Sequence, residues 1–447
     1  MTVENHLEII KRLCDHNHDT YLVGGGIRDM LSGCEPKDFD IVTAATPEMI
    51  MELFKDCNVM IIGKSFGVVL VDGYEVATFR HDRHHGIGDK NCTVHVADSI
   101  KEDLSRRDFT VNAMAYCELT GEIVDEHNGR SDLNRRIIRF VGDPQQRILE
   151  DPNRIIRACR FLAKLQGEFD LGTRFVLEEN AHLVRDDVAP ERIRLEVLKA
   201  MELEQPSLFF SALHSIDALK YIFPAMDSCV DHPHGEHHLE DVFVHLMLAG
   251  DAAGSEDPIL RLAAYLHDVG KPAAYARRGD GSFVHHDAIG VGFITEELQA
   301  LKFSHAEISR ITNLVSVHMA NIRDISDKGM RRLLKKLVER NLTFEEFLGL
   351  RIADRAANRK KQPYNDDEIS AMVAHVDTIR NSKVPLTVTS LAVSGGELIE
   401  ELHLSPGPNI GEIQRYLLEQ VLEQSETINS RETLLHLARQ YVENGGE

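Results

Sequence analysis

The hydrophobic pattern of this chain changes period once, near Pro144, and that change limits the fold more than any single motif does. Before it, TYLVGG is a short apolar run and DFDIVTA alternates apolar and polar positions. FGVVLVDGYEVATF reads as a hairpin, because Asp72-Gly73 is a favoured two-residue turn between β-branched runs. After it, ILEDPNRIIRACRFLAKL, RLEVLKAMEL and ILRLAAYLHDVGK carry apolar residues at helical spacing, and no further strand is expected. Strands at one end and helices at the other predict an α+β protein, a mixed sheet followed by an all-α remainder. At 447 residues the chain exceeds one ordinary core. The loop-like stretches DSCVDHPHGEHH and RRGDGSFVHHD, and VPLTVTS before a helical tail, lead to expected domains at 1–140, 141–225, 226–380 and 381–447.

Composition excludes several classes. No apolar run is long enough without a charge to span a bilayer, and MTVENHLEIIKRL lacks the layout of a secretory signal, so a soluble, cytoplasmic protein with no membrane partner is expected. The seven cysteines are scattered and never form CxxC, which argues against a disulfide frame or a cysteine zinc site. A net charge of −22 argues against a uniformly basic surface. There is a local exception: between Arg130 and Lys164 the bases Arg130, Arg135, Arg136, Arg139, Arg147, Arg154, Arg157, Arg160 and Lys164 outnumber the acids.

Gly24, Gly25 and Gly26 follow a strand-like run and precede a helical turn that stops at Gly33. Glycine lets the main chain approach a ligand closely, so backbone N–H groups there can cradle phosphates, with Arg28 facing the same anion. A tight turn with nothing bound would need the same glycines. Downstream, Asp38 and Asp40 occupy alternate positions of a strand and so share a face, with Phe39 turned into the core. Two carboxylates that close are costly without a cation, and hard oxygen donors suit Mg2+.

GGGIRD followed by DFD resembles the nucleotidyltransferase signature of the tRNA CCA-adding enzymes and bacterial poly(A) polymerases, the second class of that superfamily. The likeness continues in order: IGKSFGVVLV resembles the family's next strand, EDLSRRDFTVNAMAY its next block, and IRFVGDPQQRILEDPNRIIRACRFLAKL the neck that reads the incoming nucleotide. The resemblance implies a polymerase-β-like catalytic head over 1–140 and a nucleotide-selecting, RNA-binding neck over 141–225. It also implies a template-independent enzyme that adds or repairs the 3′-terminal CCA of tRNA from CTP and ATP by two-metal nucleotidyl transfer. On that likeness Asp38 and Asp40 are catalytic and hold Mg2+, Gly25 and Arg28 form the triphosphate cradle, and Arg107 contacts the nucleotide. Glu75, on a neighbouring strand, is a candidate third carboxylate. A poly(A) polymerase, a CC-adding enzyme and an A-adding enzyme are the sibling readings. RHDRHHGIGDKNCTVHVADS, from Arg80 to Ser99, corresponds to the mobile loop that switches addition from C to A.

In the neck, with Pro152 early in a helix, Asp151, Arg154, Arg157 and Arg160 recur every third residue and share one face, while Ile155, Ile156, Cys159 and Leu162 populate another. An aspartate and an arginine one turn apart offer an acceptor and a donor in fixed geometry, which is what a base edge requires. The resemblance assigns Asp151 and Arg154 to the base, and Arg157 and Arg160 to the phosphates or the helix frame.

Many of the 23 histidines lie in the helical half. HDVGK, containing His267 and Asp268, resembles the HD phosphohydrolase signature; by that likeness His245, His267, Asp268 and Asp354 bind a divalent ion, Mg2+ or a transition metal, that activates water against a phosphoester. This implies an HD domain over 226–380 ahead of the tail at 381–447, and a second activity that removes a terminal or cyclic phosphate from RNA ends. A reading of a different class makes the HD half a hydrolase and the front half only a nucleotide-binding module.

Overall fold

Short β-branched runs separated by glycine turns supply the strands of the first part. These are β1 (Thr20–Val23), β2 (Asp40–Thr43), β3 (Val59–Ile62), β4 (Val68–Val71), β5 (Tyr74–Thr78), β6 (Arg80–His84), β7 (Cys92–Val96), β8 (Ala115–Cys117) and β9 (Glu122–Val124). The computed structural model describes the chain apart from residues 1–4, 37–38, 63–66, 85–91, 237, 279–281, 383, 425–427 and 445–447, and the side chain of residue 84. Seven of these strands form one mixed sheet in the order β3-β4-β5-β2-β1-β8-β9, and β6 pairs with β7 as a separate ribbon. The hairpin expected at Asp72-Gly73 forms, with Val71 opposite Tyr74 and both turn residues at positive φ. β1 and β2 are antiparallel, with Val23 opposite Asp40, whereas β2 and β5 run parallel with Ile41 opposite Val76. Val23, Val42, Phe79 and Ala115 pack against Ile100 and Leu104 of the helix Ile100–Ser105, so the central strands are anchored from below.

Two details depart from the sequence reading. Strands do not end with the head: β10 (Ile137–Ile138) pairs in parallel with β11 (Glu168–Phe169) across the neck. Phe39 is half-buried rather than in the core, its ring stacked on that of His6 at 4.0 Å. The strand begins at Asp40, one residue later than the alternation requires to bury Phe39.

The chain divides after Asp227 into two compact units. The first contains the sheet and the helices Pro144–Glu150, Arg154–Leu165 and Pro190–Met201. The second is helical among the described residues; the helices Val242–Ala252, Pro258–Leu266, His286–Ala300, His305–Val317 and Phe344–Ala357 bring their ends together around a histidine-rich cavity. Its last part has a core of its own, built by Leu398, Ile413, Leu417, Val421, Leu422 and Leu434. No helix is long and apolar enough to cross a membrane among the described residues.

Candidate functional sites

β1 ends at Gly24, whose φ of +75° is rarely adopted by residues bearing a Cβ. A Cβ there would lie 2.8 Å from Asp40 Oδ2 and 3.7 Å from Arg107 Nη1, so the Asp40 carboxylate packs against the bare backbone of Gly24 with the Arg107 guanidinium nearby. Asp40 is exposed at the first position of β2. Asp38 lies outside the described residues, as do residues 63–66 of the IGKSFG stretch and 85–91 of the histidine-rich loop, whose arms are β6 and β7. Glu75 is exposed and directly precedes Val76, the parallel partner of Ile41, so the ladder brings it beside Asp40.

Arg107 is aimed by Asp103, a fully buried carboxylate that it grips through Nη2 at 2.9 Å and Nε at 3.3 Å. Arg106 donates to the other oxygen of Asp103, at 2.7 and 3.1 Å. Burial would raise the Asp103 carboxyl, yet the two guanidinium groups outweigh it and hold the group below its ordinary range.

The other arginines lie deeper than the periodicity suggests. Arg28 is buried beneath the glycine turn; it donates to Asn112 Oδ1 at 2.6 Å and to Asp29 at 2.8 and 3.0 Å, and stacks over Phe161. Gly25 covers it, since a Cβ there would stand 3.3 Å from Arg28 Nη2. Asn112 in turn donates to Asp108, which takes two hydrogen bonds from Arg157 at 2.6 and 2.9 Å. Arg157 lies 3.6 Å from Glu196, and Arg160 donates to the same carboxylate. Arg28, Asn112, Asp108, Arg157, Glu196 and Arg160 therefore make one polar chain from the glycine turn into the neck. Burial would raise Asp108, but Arg157 overrides it and brings the carboxyl to about 2.

The neck is not one continuous helix through Asp151. Asp151 is extended and stands between the helices Pro144–Glu150 and Arg154–Leu165, as the residue before a proline tends to be. Its carboxylate is clasped by both arms of Arg192, at 2.7 and 2.9 Å. Arg154 donates to Glu150 at 2.8 Å and to the carbonyls of Arg147 and Arg106. Asp151 and Arg154 are thus neighbours, each held by a partner that the three-residue spacing did not reveal. Asp103, Asp108, Asn112, Glu150, Arg192 and Glu196 were all missed. Asp103 and Asp108 carry a local signal, since they bracket the arginine pair; Arg192 and Glu196 come from a distant helix and carry none.

In the second unit, His245, His267, Asp268 and Asp354 do converge. His245 Nε2 lies 3.2 Å from Asp354 Oδ1, and His267 Nε2 lies 3.3 Å from Asp268 Oδ2 and 3.8 Å from Asp354 Oδ1. Ligands about 2.1 Å from a common ion stand roughly 3 to 3.5 Å apart, so the four atoms are spaced as a coordination shell would space them. Burial would raise the carboxyls of Asp268 and Asp354; Lys271 and His267 beside Asp268, and a hydrogen bond with His245 together with His267 and Arg351 beside Asp354, outweigh it and hold both well below their ordinary range. Lys271 Nζ is 2.6 Å from Asp268 Oδ2. His234, His238, His286 and His318 line an adjoining cavity of about 950 Å³ that Arg351 and Lys361 also line, and Glu240 clusters with His234, His238 and His245. Gly270 of the HDVGK stretch makes this convergence possible: a Cβ there would fall 2.1 Å from the His286 carbonyl oxygen and 2.6 Å from Gly290 N.

The head matches the model of the poly A polymerase head domain over residues 20–139. Residues 169–230 match the "Probable RNA and SrmB- binding site of polymerase A", and residues 293–438 match the tRNA nucleotidyltransferase domain 2 model. The fold is shared with a solved CCA-adding enzyme of Bacillus stearothermophilus in complex with CTP, at a TM-score of 0.71 and 24% identity over 98% of this chain and 97% of that one. The sheet, the glycine turn and Asp40 all lie within the residues that match the poly A polymerase head domain. The chain is 35% identical over 328 residues to the multifunctional CCA protein of Xanthomonas euvesicatoria, covering 68% of this chain and 77% of that protein. It is 34% identical over 237 residues to poly(A) polymerase I of Salmonella typhi, and spans 50% of that relative's length. The chain belongs to the family of CCA-adding enzymes and bacterial poly(A) polymerases.

Proposed function

We propose that this chain is a template-independent RNA nucleotidyltransferase that completes or repairs the 3′-terminal CCA of tRNA from CTP and ATP. The observation that carries this reading is the convergence of Asp40 and Arg107 on the bare backbone of Gly24. The donor set fits Mg2+: Asp40 is a hard oxygen ligand at a point where even one methyl group would collide, and Asp38 would be the second carboxylate. Mg2+ held there lowers the pKa of the attacking hydroxyl and spreads the charge that builds on phosphorus.

The chain's own residues would do the rest. The Gly24-Gly25 backbone gives the triphosphate room to lie against the turn, and Arg107, held by Asp103, offers its free edge to phosphate oxygens. The 3′-hydroxyl oxygen bonds to the α-phosphorus, the bond to pyrophosphate breaks, and the hydroxyl proton leaves to water. Asp151 and Arg154 would present acceptor and donor to the base, in positions set by Arg192 and Glu150. Arg28, Arg157 and Arg160 support this frame from beneath rather than touching the nucleotide.

The test is incubation of tRNA lacking its last three nucleotides with labelled CTP and ATP, singly and together. Completed CCA ends are expected; long tails from ATP alone would establish the poly(A) sibling, and C alone the CC-adding one. No incorporation would overturn the reading.

The convergence of His245, His267, Asp268 and Asp354 favours a second activity, metal-dependent phosphohydrolysis in an HD domain. The cations Lys271, Arg351 and Lys361 around the cavity suit a phosphate ester. Opening of a 2′,3′-cyclic phosphate to a phosphomonoester, or release of inorganic phosphate from an RNA ending in a phosphomonoester, lost in Asp354→Ala while nucleotide incorporation persists, is the expected result. Equal release by the variant would defeat this reading.

A further inference from the structure

Strand pairing stops one residue short of Phe39. The ladder begins with Asp40 opposite Val23, and Phe39, directly before it, is half-buried rather than locked in the core. Its ring is held instead by His6, whose imidazole stacks on it with the centroids 4.0 Å apart and the planes within 17°. Tyr74, which precedes Glu75 on β5, stands beside the same imidazole with its ring tilted at 55° and 6.4 Å away.

His6 is itself fixed from two sides. It opens the helix His6–Asp15, whose Ile9, Ile10 and Leu13 are fully buried and whose cap, Asn5, accepts from the Glu8 N–H at 3.2 Å. Its Nε2 donates to Glu118 Oε1 at 3.2 Å, in the residue that follows β8. The second Glu118 oxygen is buried with no hydrogen-bond partner among the described residues, so this carboxylate relies on the imidazole. The ring therefore joins three separate parts of the head: the first helix, the end of β8 and the residue before Asp40. Mg2+ requires its oxygen ligands at about 2.1 Å in near-octahedral geometry, which a backbone free to turn at Phe39 would not keep.

We propose that His6 is a positioning residue for nucleotidyl transfer: stacked on Phe39 and tethered to Glu118, it holds the backbone before β2 and so keeps the Asp40 carboxylate beside Gly24, where the ion is bound. Groups that orient a metal ligand without touching the metal change its affinity by roughly 10- to 100-fold when removed. His6 lies ahead of the glycine turn and outside every motif block, so spacing within those blocks gives no sign of it. The inference rests on the transferase reading and adds a residue to it.

Two measurements on the full chain test it. Mn2+ affinity is read, without nucleotide or RNA, from the loss of the free-ion electron paramagnetic resonance signal, with Asp40→Ala marking the share that belongs to the head. Incorporation of CTP and ATP is read against Mg2+ concentration. His6→Ala should weaken the Asp40-dependent Mn2+ about tenfold and raise the Mg2+ needed for half-maximal incorporation by about the same factor, with a much smaller loss at saturating Mg2+. His6→Phe, which keeps a ring over Phe39, should recover most of both. Mn2+ binding that ignores Asp40, unchanged affinity in His6→Ala, a deficit equal at every Mg2+ concentration, or a His6→Phe variant no better than His6→Ala would overturn the inference. Should His6→Ala fail to fold, His6→Leu, which fills the space without a ring, takes its place in each comparison. No incorporation by the wild type would overturn the transferase reading, and the Mn2+ affinities would still decide for or against His6.

Discussion

Arg157 grips Asp108 through two hydrogen bonds, at 2.6 and 2.9 Å, and so ties the neck helix to the block that follows the head's arginine pair. Asp108 is nearly inaccessible, and its carboxyl is brought to about 2 from an ordinary value of 3.8. A depressed folded-state value stabilises above the unfolded value and is lost as pH falls toward the folded one. The shift corresponds to about 2.5 kcal/mol, present at neutral pH and lost between about pH 4 and pH 2. Asp108→Ala, which leaves Arg157 half-stranded, should lower stability by about 3 kcal/mol at pH 7 in urea unfolding. The gap to wild type should narrow below pH 4; a pH-independent gap would count against the pairing.

Gly24→Ala should separate catalysis from stability. The positive φ costs an alanine about 1 kcal/mol, a modest change in unfolding. The same methyl group would push against Asp40 Oδ2, and displacement of a catalytic group by such an amount lowers incorporation roughly 100-fold. A variant with wild-type turnover would refute the assignment of the Gly24–Asp40 contact to catalysis.

Asp40→Ala should abolish CTP and ATP incorporation, by roughly 1000-fold or more, while leaving unfolding nearly unchanged because the side chain is exposed. Incorporation assays at saturating nucleotide measure the first effect and urea unfolding the second.

Arg154→Ala should chiefly damage base choice. Loss of one donor to a base edge is worth about tenfold in discrimination, read as the ratio of CTP to UTP incorporation. Arg192→Ala should act in the same direction more weakly, since it leaves Asp151 in place but unclasped. Unchanged selectivity in both would move base recognition elsewhere.

The basic helix Asp327–Val338 offers a contrast. Arg331 is buried and donates to the Leu422 carbonyl, while Lys328 and Arg332 pair with Glu423 and Lys335 with Glu419. The run RRLLKK therefore fastens the C-terminal tail rather than presenting a bare cationic face. These pairs are largely solvent-exposed, so Glu419→Ala with Glu423→Ala should cost under about 1 kcal/mol. Calorimetry of the second unit's transition checks it.

Period and turn chemistry settled much of the outline before any coordinates. The Asp72-Gly73 hairpin, the strand–glycine–helix order at Gly24 and the helices beyond Pro144 follow from local rules that need only neighbouring residues. For DFD the expectation of an ion came from the cost of two carboxylates on one strand face, and for HDVGK from its likeness to the HD signature. What local spacing could not decide was which partner each charge takes. Asp151, Arg154, Arg157 and Arg160 recur every third residue, yet the break before Pro152 and the partners Arg192, Glu150, Asp108 and Glu196 turn a shared face into half-buried or buried groups, each with a partner of its own. His286 and His318, 32 residues apart, come together only where helix ends meet around Asp268. The elements were legible because they depend on short-range geometry; the pairings were not, since a charge in low dielectric takes whichever partner packing brings within reach.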